Sequence, residues 1–109
     1  ELILPYLPDF LSLLEKEGIH DAVKRNTFRV MQFISIPKKL QGRTLDLAFS
    51  HLLNRSEPVA IRVFAMQVIY NIAQKEPDIL QELKAVIEEE LPHAKPAYLA
   101  RARRILGRK

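Results

Sequence analysis

The sequence predicts an all-α protein made of three stacked helix hairpins, six helices in all. Three observations predict it. Met31-Gln32-Phe33-Ile34 recurs as Met66-Gln67-Val68-Ile69, a shift of roughly 35 residues, the length of a helical repeat unit. Tyr6-Leu7, Phe10 and Leu13-Leu14 have the same spacing as Ile79-Leu80, Leu83 and Val86-Ile87. No stretch alternates polar and apolar residues for long enough to argue a strand. A hairpin of this length cannot bury its apolar face alone, so it must stack on its neighbours.

The elements follow from punctuation and periodicity. The first helix opens near Pro5 or Pro8, because a first-turn N–H has no intrahelical partner to lose. Leu7, Phe10, Leu11, Leu13 and Leu14 form its apolar side, and Gly18 stops it. Asp21 reads as the N-cap of a second helix running to about Ser35 and closed by Pro37. Lys38, Lys39 and Gly42 lead to a third helix, capped by Thr44 and striped by Leu45, Ala48, Phe49, Leu52 and Leu53. Ser56, Glu57 and Pro58 combine a cap, an acid and a first-turn proline at the start of the fourth helix, expected to be the longest. There Ile61, Phe64, Ala65, Val68, Ile69 and Ile72 share one side. Pro77 closes the connection that follows. Asp78 with Gln81 resembles a capping box for a fifth helix ending near Glu90. Pro92 and Pro96 bracket the last loop, and a sixth helix covers about Ala97 to Gly107.

At 109 residues the chain is one domain, and 48% apolar with 28% charged residues is the composition of a folded protein. Cysteine is absent, which excludes disulfides and thiolate chemistry and is compatible with the expected cytoplasmic location. No apolar run reaches the roughly 18 residues of a membrane span. The formal charge of +4 favours acidic partners, whether nucleic acid or an anionic protein surface.

Catalytic constellations find no support. His20, His51 and His93 are far apart in sequence, and none has a second His or Cys at ligand spacing, so no metal site is expected. Ser50 and His51 are adjacent on one helix, and no nucleophile motif surrounds them. Glu88-Glu89-Glu90 reads as a solvated helix end, since paired acid–base work needs two differing environments. No Gly-rich loop is present to cradle a nucleotide, and no cofactor is expected.

Read in pairs, the helices resemble HEAT repeats. That pattern is a Leu-rich first helix, a polar turn, and a second helix opening Val-Arg with a small residue three positions on. Leu52-Leu53-Asn54, Pro58 and Ile61-Arg62-Val63-Phe64-Ala65 match it well. The first unit, Leu4 to Ser35, carries Lys24-Arg25 and then Phe28 where a small residue is expected. The third unit, Ile79 to Leu106, places Tyr98, Ala102, Ile105 and Leu106 at matching core positions but lacks the arginine. The resemblance implies a right-handed α-α superhelix of about three HEAT-like hairpins, at residues 2–36, 40–75 and 78–108.

Two segments, Glu57 to Met66 and Pro96 to Leu106, also resemble the C-terminal half of small bacterial HEAT-like proteins of unassigned function. Some of those carry an adenylosuccinate lyase label. The Ser-rich mobile loop of that lyase has no counterpart here, so lyase activity is not expected. If the match holds, an N-terminal portion precedes Glu1.

The resemblance places the second helix of each pair on an inner, concave surface. Arg25, Arg29, Arg62, Arg101, Arg103 and Arg104 would then form a stripe able to grip phosphates or carboxylates, with Lys24, Arg108 and Lys109 beside it. The 100° step also turns Val63, Met66, Gln67 and Tyr70 away from the apolar side of the fourth helix, giving a partly aromatic patch suited to protein contact. The expected function is a non-catalytic module binding a protein or peptide. Nucleic-acid binding through the arginines is the alternative. A base-excising enzyme on this scaffold is disfavoured by the lack of tryptophan and of an evident Asp in the concave row.

Overall fold

The computed structural model describes the backbone of residues 4–107 and the side chains of residues 5–107. Six α-helices follow one another: α1 Leu7–Glu15, α2 Asp21–Met31, α3 Lys38–Leu53, α4 Val59–Ala73, α5 Pro77–Glu90 and α6 Pro96–Leu106. Short 3-10 turns precede α1 and follow α5. Among the described residues there is no strand. Arg108 and Lys109, expected in the basic cluster, lie outside the described residues, as does the start of the first expected repeat.

The helices form two layers, one of α2, α4 and α6 and one of α1, α3 and α5. In the first, α4 lies between α2 and α6; in the second, α1 packs on α3. The least extent of the molecule, 19 Å, is what two helix layers about 10 Å apart require. The central helix α4 touches α2, α3, α5 and α6, and most of its circumference is therefore covered. Ile61, Val63, Ala65, Met66, Val68 and Ile69 are all buried. Phe28 and Met31 from α2, Leu52 from α3, Leu83 and Ile87 from α5 and Tyr98 from α6 close around them. Burying each such side chain contributes about 1.5–3 kcal/mol, which is why these marginal single helices hold together.

Helix starts differ from the sequence expectation in a consistent way. His20, not Asp21, caps α2, its Nδ1 accepting from the Ala22 amide at 3.1 Å. That helix ends at Met31 and passes through a turn before Pro37. α3 begins at Lys38 behind Pro37, six residues before Thr44. Thr44 is buried in mid-helix, and its hydroxyl donates to the Leu40 carbonyl at 2.8 Å. Such back-bonding within a helix competes with capping, and α3, with 16 residues, outgrows the 15 of α4. Neither Ser56 nor Asp78 caps its helix: Pro58 and Glu76 occupy those positions without side-chain bonds. Gly107 stops α6 as its C-cap at φ +74°, whereas α1 ends where Lys16 turns extended and Gly18, expected to stop it, shapes the turn beyond at φ +75°, a conformation that costs side-chain-bearing residues.

A polar ladder ties the hairpins together. The fourth residue of α2, Lys24, reaches Glu57 just ahead of α4, Nζ to Oε1 at 2.9 Å. The fourth residue of α4, Arg62, reaches Glu90 at the end of α5, Nη2 to Oε2 at 3.1 Å. Each cation thus bridges to the acid of the next hairpin. His51 Nδ1 also bonds Glu57, and its ring meets Phe28 edge-on at 5.2 Å. Arg62 further donates Nε to the Leu52 carbonyl at 2.9 Å and lies 5.0 Å over the Tyr98 ring.

Candidate partner-binding face

What α4 leaves open is a narrow strip. Ala60, Phe64, Gln67 and Tyr70 are half-buried there, and Asn71 and Gln74 are exposed. The spacing is that of one helix face, and the strip holds no charge. Its amides are wired across the layer. Arg101 of α6 donates Nη1 to Gln67 Oε1 at 2.8 Å, Gln67 Nε2 donates to Asn71 Oδ1 at 2.8 Å, and Asn71 Nδ2 donates to the Gln32 carbonyl beyond α2 at 2.8 Å. One run of hydrogen bonds therefore crosses α6, α4 and the end of α2, and it defines a common surface of the second helices.

The cations flank this run. Arg104 lies one turn beyond Arg101 on α6, while Arg29 lies one turn before Gln32 on α2, with Arg25 a turn further back. Arg25, Arg29, Arg103 and Arg104 are exposed and form no ion pair among the described residues. Burial holds the Arg101 guanidinium below the usual arginine range, and the neighbouring Arg104 charge pushes it the same way. At the α2 end the face runs into a cleft of about 490 Å³ lined by Gln32, Phe33, Lys38, Asn71 and Gln74, where Phe33 is 76% exposed.

The two layers differ in charge. Helices α2, α4 and α6 carry seven lysines and arginines against one acid, Asp21, a net +6. Helices α1, α3 and α5 carry four against eight acids, a net −4. The chain's modest overall charge conceals this polarity.

Not every residue expected on the face is there. Met66 is 0% exposed and Val63 8%, both packed in the core because helices on either side close over the flanks of α4. Gln67 and Tyr70 do border solvent. Arg62 is buried and neutralised by Glu90, so it cannot belong to an open stripe. Glu90 is likewise no solvated helix end: burial pushes its carboxyl up, but hydrogen bonds from Arg62 and Arg55 outweigh that and hold it below the ordinary range. The same balance holds for Glu57, pushed up by burial and lowered further by Lys24 and His51. Phe64, Asn71 and Phe33 are face residues that periodicity alone did not reveal.

The second layer has its own groove, between α3 and α5. Leu45, Phe49, Leu53, Ile79 and Val86 line it, and Leu53 is 58% exposed. Among the described residues no cluster of His, Cys, Asp and Glu is arranged to hold a metal, and no helix is long and apolar enough to cross a membrane.

Hairpins whose equivalent helices lie side by side in two layers define an α-α repeat protein. The family model described as a HEAT repeat domain matches residues 11–109, nearly the whole chain, and the protein belongs to that family. No curated protein and no solved structure matches it. HEAT repeats generally serve as scaffolds for protein–protein contact.

Proposed function

We propose that this chain is a non-catalytic module that holds a segment of another protein against the α2–α4–α6 face. The observation that carries the reading is the uncharged strip of Phe64, Gln67, Tyr70 and Asn71, bordered by unpaired arginines on two separate helices. Amides that donate and accept suit a peptide backbone, and half-buried aromatic rings supply apolar contact at little entropic cost. Of the expected contact residues, Gln67 and Tyr70 remain in this reading. Met66 and Val63 support the strip from beneath.

Selection from a displayed random-peptide library tests it. Recovered peptides are expected to lose binding on Phe64→Ala or Gln67→Ala and to keep it on Asp46→Ala in α3. Equal binding by all three variants refutes the assignment of the face.

A second reading, phosphate or nucleic acid on the same face, is favoured by the unpaired Arg25, Arg29 and Arg104; Arg103, about 200° around α6 from Arg101, points away from it. If several phosphates were engaged, log affinity would fall with log salt at about 0.9 per contact on duplex DNA. Weak binding without that slope speaks against it.

A further inference from the structure

Resting on the proposed peptide-binding face, we infer that its partner is an extended acidic segment whose carboxylates lie near both ends of an uncharged centre, spanning from Arg29 on α2 to Arg101 and Arg104 on α6. Three observations converge on that chemistry.

First, the second-helix layer carries net +6 and the opposite layer −4, so a negatively charged chain is drawn to one side of the molecule. Second, the cations stand in two banks with α4 between them. Neighbouring helices pack about 8–10 Å apart, so the banks are separated by about 18 Å. An extended chain rises about 3.3 Å per residue, and roughly six residues cover that distance. Third, the centre is neutral. The single arginine of α4 is buried and paired with Glu90, while Gln67 and Asn71 present amides and Phe64 and Tyr70 present rings.

The neutral centre separates an acidic peptide from a nucleic acid. Along the axis of duplex DNA each strand places a phosphate about every 3.4 Å, or about five across this width. Those over α4 would meet no cation. A peptide can place its charges at the ends and apolar or hydroxyl side chains in the middle. The ring of Phe33 and the cleft beside it extend the path at the α2 end. Arg101 is held by a neutral amide, and burial and Arg104 both disfavour its charge. A carboxylate placed there offsets the repulsion from Arg104.

The test uses a fluorescein-labelled octapeptide with two glutamates at each end and Thr, Val, Leu and Thr between, read by fluorescence polarisation at low salt. Replacing all glutamates by glutamine is expected to weaken binding at least tenfold, as is bunching the four glutamates in the centre. Arg29→Gln with Arg104→Gln is expected to lower affinity about a hundredfold, near tenfold per charged contact. Both side chains are exposed and unpaired, and an unchanged melting curve shows that the fold is intact. Lys39→Gln on α3 is expected to leave binding as it was. An oligothymidylate of eight nucleotides is expected to bind at least tenfold more weakly than the acidic peptide.

Tighter binding of the oligothymidylate, no binding of the acidic peptide, or indifference to the double substitution each overturns the inference. Equal binding of the glutamine peptide, still lost on Gln67→Ala, overturns the acidic preference and leaves the inner-face reading intact. Binding unmoved by any change on α2, α4 and α6 overturns both.

Discussion

Replacing Glu90 by Gln removes one charge and almost no volume, and its cost can be worked from the structure. Oε2 lies 3.1 Å from Arg62 Nη2, and Oε1 lies 3.0 Å from Arg55. At that separation two unit charges attract by about 5 kcal/mol for an effective dielectric of 20. The desolvation of both groups offsets much of this. After the substitution Arg62, whose side chain is 11% exposed, stays charged because a guanidinium does not titrate. The Leu52 carbonyl and the Tyr98 ring remain as its partners.

Leaving one member of a buried pair alone costs about 3–5 kcal/mol. Two facts reduce that. The Arg55 side chain is 60% exposed, so its half of the interaction is worth little, and a glutamine oxygen still accepts a hydrogen bond. The expected loss is about 2–3 kcal/mol, a large share of the roughly 5–15 kcal/mol that holds a domain together. Urea denaturation followed by far-ultraviolet circular dichroism measures it. Pairing Glu90→Leu with Arg62→Met is expected to recover at least half of the loss, since no buried charge is then unmatched. A cost below about 0.5 kcal/mol for Glu90→Gln, the scale of an ordinary surface change, would refute the reasoning.

Tyr98→Phe is expected to leave stability unchanged or raise it by about 1 kcal/mol in the same assay, because the buried Tyr98 hydroxyl has no hydrogen-bond partner among the described residues. Burial pushes that phenol up to about 12, above its ordinary 10, despite the Arg62 charge nearby. A raised folded value means stability is full below pH 10 and falls as pH rises through about 12, and Tyr98→Phe removes that alkaline loss. Glu57 and Glu90 run the other way: their folded values lie under the ordinary 4.5, so stability is full above pH 4.5 and drains as pH falls through the folded values. Melting temperature against pH is expected to show this acid limb, shallower in Glu57→Gln with Glu90→Gln. Met66→Ala is expected to cost about 2–4 kcal/mol in urea, as a core cavity does, while peptide affinity of the folded fraction holds. Arg43→Ala breaks an exposed pair with Glu15 and is expected to leave the melting temperature nearly unchanged.

The hairpin architecture was legible in the helical period, but the Met-Gln-x-Ile recurrence is out of register with it: Met31 ends α2 while Met66 is the eighth residue of α4, and Lys24 and Arg62, each the fourth residue of its helix, stand 38 apart. Prolines were less informative about helix starts, since Pro37 and Pro58 take cap positions themselves and leave Thr44 and Ser56 without that role. The binding strip was only half legible. A 100° step finds two sides of an isolated helix, but α4 is enclosed by four others, so its solvent strip is narrower than half a turn. Gln67 and Tyr70 fall inside that strip and Met66 and Val63 outside it. Arg62 shows the same limit in charge. Its sequence neighbourhood matches an exposed basic stripe as well as a buried rung, and only the partner 28 residues away, Glu90, decides between them. The missing arginine of the third unit is Leu99, the fourth residue of α6. The described residues hold no following hairpin whose acid it would meet.

The decisive property of the molecule is which surface meets the partner. Backbone amide shifts recorded by nitrogen–proton correlation spectroscopy, during titration with the acidic octapeptide, measure that directly. The predicted result is a set of perturbations along Arg29, Gln32, Gln67, Asn71, Arg101 and Arg104. Perturbations gathered instead around Leu45, Phe49 and Val86, in the α3–α5 groove, would contradict it.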